Sequence, residues 1–89
     1  ISLNEEINLI KGYRVQIVIS QNEQELQDVK IEIEKSIDEQ TYIIFELPNY
    51  KLRVGNFLNR KEAENFQKKI VRLGYRTAWV VPTMIEKED

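Results

Sequence analysis

Apolar and polar residues alternate from Tyr13 to Ser20. Tyr13, Val15, Ile17 and Ile19 fall on one side, and Arg14, Gln16, Val18 and Ser20 on the other. A period of two predicts a strand with one packed face. After Asn22 the period changes. Leu26, Val29, Ile33 and Ile37 recur at helical spacing, with Asn22 placed to cap and acidic residues in the first turn. The β-branched and aromatic run "TYIIFEL" predicts a second strand, ended by Pro48 and Asn49. "YKLRVGNF" predicts a third, with Leu52 and Val54 packed and Lys51 and Arg53 opposite them. Asn59 with Glu62 three residues on resembles a capping box, and Ala63, Phe66, Ile70 and Leu73 share the face of the helix that follows. Gly74 stands at its C-terminal end. "YRTAWVV" predicts a fourth strand, closed by Pro82. Before all of these, Leu3, Ile7 and Ile10 permit one or two helical turns stopped by Gly12.

The order is βαββαβ. Two helices with one apolar face each cover one face of a four-stranded sheet, and right-handed crossovers give the split βαβ, ferredoxin-like arrangement. The expected α+β fold has antiparallel strands in the order 4-1-3-2 and an opposite face left bare. Residues 1–11 are expected to be a linker or short helix, residues 12–85 the domain, and residues 86–89 a tail. A chain opening at Ile1 reads as a segment of a longer protein.

Composition narrows the function. Eighty-nine residues make one core, and an apolar fraction of 42% with 31% charged residues is ordinary for a globular domain. A net charge of −2 argues against a general nucleic-acid binder, so any basic site must be local. The chain has no Cys and no His. Thiol chemistry is therefore excluded, as are the commonest general base and the commonest metal ligand. No cofactor, metal or catalytic residue is expected. No stretch approaches the roughly 18 apolar residues of a membrane span or reads as a signal peptide.

The segments "GYRVQI" (12–17), "PNYKLRVGNFLNRKEAENF" (48–66) and their spacing resemble the SPOR (sporulation-related repeat) domain. Val15 and Gln16 match the opening Val-Gln strand of that family. Tyr50, Lys51, Leu52, Arg53, Val54, Gly55 and Phe57 match its third strand, and "NRKEAE" matches the start of its second helix. The loop after the first strand, "SQNEQ", departs from the family pattern in lacking its small residue and aromatic. The resemblance implies a non-catalytic, extracytoplasmic domain that binds peptidoglycan through the open sheet face. It implies a preference for septal glycan strands from which amidases have removed the stem peptides. The parent protein would be a larger envelope or cell-division protein.

Such a ligand is a polar ribbon with apolar sugar faces, and removal of a stem peptide frees a lactyl carboxylate on each muramic acid. Hydrogen-bonding amides, guanidinium forks and a flat aromatic suit it. Arg14, Gln16, Lys51, Arg53 and Trp79 are the candidate contacts. Cations on an open sheet face are usually just solvated, whereas Gln16 at mid-strand has poor β-propensity and gains little by burial. Trp79 reaches a sugar only if Ala78 and Val80 pack on the helices. Tyr50 and Phe57 are assigned to structure, and Gly55 to a bulge or a close approach.

Three rivals carry less. An RNA-recognition motif needs exposed aromatics that "KLRVGNF" lacks. An acylphosphatase-like enzyme needs an anion-cradling loop where this chain has "SQNEQ". A protein-interaction module using the exposed sheet or an edge strand is the alternative, with weak self-association through "YIIF".

Overall fold

The structure is a computed structural model and describes residues 9–87. It consists of β1 (Leu9–Ser20), α1 (Glu23–Glu34), β2 (Thr41–Glu46), β3 (Asn49–Phe57), α2 (Arg60–Arg72) and β4 (Trp79–Glu86). The strands form one antiparallel sheet in the order β2-β3-β1-β4, the expected ferredoxin-like arrangement. Val15, Leu52, Val54 and Val80 from the sheet meet Leu26 and Ile33 of α1 and Ala63, Phe66 and Ile70 of α2 in one core. Both helices therefore cover the same face, and among the described residues the other face carries no helix.

Local chemistry accounts for the helix ends. The Asn22 side chain accepts from the Gln24 amide at 2.9 Å, and Asn59 accepts from the Glu62 amide at 2.9 Å. Each satisfies one of the orphan donors of a helix start. Ser20 and Asn22 are engaged here, since Ser20 Oγ accepts from the Asn22 amide and donates to Glu25. Leu73, expected on the packed face of α2, lies just past the last helical residue and is exposed.

Strand limits differ from the sequence reading at three places. Residues 9–12 belong to β1 rather than to a helix, and the rest of that expected segment, residues 1–8, lies outside the described residues. A Cβ on Gly12 would stand 2.3 Å from the Ile85 side chain, so this glycine permits close packing of β1 and β4 instead of stopping a helix. At the other end Tyr75–Ala78 form a turn, and β4 runs on through Pro82 to Glu86. Pro82 is tolerated because β4 is an edge strand, where a missing N–H need not break a ladder.

Two irregularities decide which side chains reach the bare face. Between the pairs Tyr13↔Phe57 and Val15↔Val54, β3 holds one residue more than β1, and Gly55 there has φ of 89°. Between Gln16↔Arg53 and Val18↔Leu52 the extra residue is Ile17 of β1. An extra residue reverses the alternation beyond it. Val18 accordingly packs on the core, and Ile19 turns out to the bare face at 48% exposure, the reverse of the assignment made from simple alternation.

Candidate ligand-binding sheet face

The ladder aligns four side chains in a row across the bare face. Gln16 of β1 pairs with Trp79 of β4 on one side and with Arg53 of β3 on the other, and Arg53 pairs with Tyr42 of β2. Residues paired in a ladder project to the same side. Trp79 is 65% exposed, while Ala78 and Val80 pack on the helices, so the indole lies on the bare face. Phe45 stands on the other face beside Tyr50, with ring centroids 4.7 Å apart.

Gln16 and Arg53 are joined. Arg53 Nε donates to Gln16 Oε1 at 2.9 Å. That bond fixes the guanidinium plane and the orientation of the amide. Among the described residues the two terminal guanidinium nitrogens of Arg53 and the Gln16 amide nitrogen have no protein partner. They form a donor set on a half-buried surface, suited to hydroxyl, carbonyl or carboxylate oxygens. Burial lowers the Arg53 pKa from its ordinary value, and Arg14 adds to the effect while Glu46 opposes it. A guanidinium starts so high that it remains charged.

Lys51 lies one step along β3 from Arg53, on the same face, between Ile44 of β2 and Ile19 of β1. Its ammonium pairs with the Glu46 carboxylate. The bond from Lys51 and its charge, with a smaller contribution from Arg53, hold Glu46 below the usual carboxylate range.

Arg14 is differently placed. It belongs to the bare face but is 7% exposed. Its Nε donates to the Gly55 carbonyl at 3.2 Å, its Nη2 donates to Asn56 Oδ1 at 3.0 Å, and its guanidinium carbon lies 3.8 Å from the Tyr42 ring centroid. Asn56 Nδ2 donates to the Tyr42 hydroxyl at 2.6 Å, and that hydroxyl donates to Glu86 at 3.0 Å. The Glu86 amide in turn donates to Asn56 Oδ1 at 3.0 Å. Tyr42 and Glu86 stand on the two edge strands, so this network bridges the sheet from edge to edge and roofs Arg14. Burial raises the Tyr42 pKa, Glu86 adds to the rise, and the Asn56 bond opposes it.

Of the five residues singled out from sequence, Gln16, Arg53 and Trp79 thus share one row and Lys51 flanks it. Arg14 adjoins them as an internal brace whose donors are turned inward. Tyr42 and Glu46 were missed, because β2 reads as nearly continuous apolar sequence. The available signal was their parity with Ile44, opposite to Ile43 and Phe45.

A depression of about 270 Å³ lined by Gln16, Ile17, Val18, Ile19 and Thr77 adjoins the row. A cleft of about 460 Å³ opens at the far end of the sheet, where Asp38, Glu39 and Glu86 contribute to its lining. These three acids outnumber Lys87 in the lining, which suits an anionic ligand poorly. Among the described residues no group of three or more acidic side chains is placed to hold a metal, and no helix is long and apolar enough to cross a membrane.

Among the described residues, two helices behind an antiparallel sheet that is bare on its other side, with an amide, a guanidinium and an indole in register on it, define a small α+β binding module. Residues 10–82 match the SPOR domain family, and the chain belongs to it. SPOR is a family of binding domains known for peptidoglycan, found in cell-envelope proteins and associated with cell division. Comparison with curated proteins and with solved structures returned no match.

Proposed function

We propose that this domain binds peptidoglycan glycan strands denuded of their stem peptides, and so carries a larger envelope protein to the septal wall. The row Trp79–Gln16–Arg53–Tyr42 is the contact surface. The observation that carries this reading is the Arg53–Gln16 hydrogen bond, which presents a guanidinium and an amide as one oriented donor set beside an exposed indole. A sugar ring stacks on Trp79 through its apolar face. The free Arg53 nitrogens take a lactyl carboxylate, whose geometry a guanidinium fork matches. Lys51 supplies a second positive charge nearby. Arg14 sets the shape of this surface from below and does not touch the ligand. The domain performs no catalysis in this role.

Retention of the purified domain on peptidoglycan sacculi, with and without amidase treatment, tests the reading. Retention is expected to rise after treatment. Equal or weaker retention on denuded sacculi contradicts the carboxylate argument.

A second reading draws on the exposed Phe45 and Leu47 at the β2–β3 hairpin and on the edge position of β2 among the described strands. Edge strands of this kind associate. Weak self-association through β2 is expected to show as a concentration-dependent sedimentation coefficient, and a constant coefficient contradicts it.

A further inference from the structure

The bare face carries an anion where the proposed ligand is itself anionic. Glu46 follows Tyr42 and Ile44 along β2 at every second position, so all three project to that face. Glu46 lies at the hairpin end, where its carboxylate accepts from Lys51 Nζ. The Glu46 side chain is more than half exposed, whereas that of Lys51 is mostly covered. The lysine is thus held in place on the sheet, and the acid reaches it from the rim. Glu46 also acts electrostatically on Arg53, the cation in the middle of the row.

We propose that Glu46 is an internal competitor for the cationic part of the site. It occupies Lys51 as a tethered carboxylate, and a carboxylate-bearing glycan binds by displacing it. This rests on the glycan reading above and adds a residue that sets its selectivity. Displacement exchanges one carboxylate for another at Lys51, so the ion pair adds little net affinity. The released Glu46 then lies near the ligand's own charges and repels them. Both effects weaken binding of an anionic strand, and neither acts on a neutral one. The full attraction of Lys51 and Arg53 for a polyanion is thereby damped. The wild-type site depends more on the fit of the sugar to Trp79 and Gln16 than on charge alone.

The test compares wild type, Glu46→Gln, Lys51→Met and the double variant on two ligands. One is soluble glycan prepared from amidase-treated sacculi. The other is the same glycan with its carboxylates converted to amides by carbodiimide coupling. Glu46→Gln keeps the size and polarity of an exposed side chain, and circular dichroism checks that all variants fold. The single variant is expected to bind the carboxylate glycan roughly two- to fivefold more tightly, the scale of an exposed ion pair. On the amidated glycan it is expected to match wild type. In the Lys51→Met background the gain is expected to shrink.

A Glu46→Gln affinity equal to or below wild type on the carboxylate glycan overturns the competitor role while leaving the glycan reading intact. So does an equal gain on the amidated glycan, or an undiminished gain without Lys51. Absence of wild-type binding to the carboxylate glycan overturns the glycan reading, and the competitor role with it.

Discussion

Gln16 and Arg53 share a hydrogen bond, so removing either side chain disorders the other as well as deleting its own donors. Gln16→Ala and Arg53→Ala are each expected to fold normally and to lose about tenfold or more in glycan affinity, measured by calorimetric titration. Hydrogen bonds to charged groups are worth roughly 1.5–3 kcal/mol. Trp79→Ala is expected to behave likewise, because the indole contributes little to the core. Arg14 is expected to separate from them. Arg14→Ala removes the side-chain donor to the Gly55 carbonyl, leaves Asn56 Oδ1 with the Glu86 amide alone, and uncovers the Tyr42 ring. It is expected to destabilise by roughly 1–3 kcal/mol through unsatisfied polar groups, read as a lowered urea midpoint. Binding on the fraction still folded is expected to survive.

Tyr42 gives a pH signature. Its pKa is raised in the fold, chiefly by burial, so the fold favours the neutral phenol. The stabilisation is complete below the pKa of an unfolded tyrosine and is lost as pH rises through the higher folded value. Wild type is therefore expected to lose stability above about pH 10 more steeply than Tyr42→Phe. Parallel urea midpoints for the two proteins across that range would contradict the burial of the phenol.

Among the elements, the periods of α1, α2 and β3 could be read directly from the sequence. Asn22, Asn59 and the stripe Ala63–Phe66–Ile70 all stand where their spacing places them. Phe66→Ala is expected to cost roughly 3–5 kcal/mol, as for other truncated core aromatics, whereas Trp79→Ala is expected to cost far less. Denaturant midpoints of the pair check this, and equal losses would place Trp79 in the core.

The bulge in β1 was not legible. Alternation along β1 looks unbroken from Tyr13 to Ser20, yet the pairing inserts Ile17 and reverses Val18 and Ile19. Register depends on both strands of a pair, and one strand's pattern does not contain it. The bulge in β3 was marked in the sequence by Gly55. A Cβ there would fall 2.2 Å from the Phe57 ring at a φ of 89°. Gly55→Ala is expected to destabilise by roughly 1–3 kcal/mol, again read from the denaturant midpoint, and to weaken binding by shifting Arg53.

For the molecule as a whole, a net charge of −2 surrounds a small cationic site. Long-range attraction of an anion is weak, and Arg14 is roofed over, which leaves Arg53 and Lys51 as the cations of the proposed contact. Glycan affinity is therefore expected to fall only modestly between 50 and 200 mM salt, whereas a binder with many phosphate contacts loses roughly 10³–10⁵ over that range. A loss that steep would identify the partner as a nucleic acid or another polyanion. The candidate face as a whole was visible from sequence because β3 advertises Lys51 and Arg53 opposite Leu52 and Val54. The brace was hidden because it joins Arg14, Tyr42, Asn56 and Glu86 from all four strands.

The most direct measurement is a ¹⁵N-detected titration of the labelled domain with soluble denuded glycan. The largest shifts are expected at the side-chain signals of Gln16, Arg53 and Trp79 and at the backbone of Tyr42, with small changes across α1 and α2. Shifts concentrated on the helices, or on Phe45 and Leu47 at the β2–β3 hairpin with Gln16 and Arg53 unmoved, would contradict it.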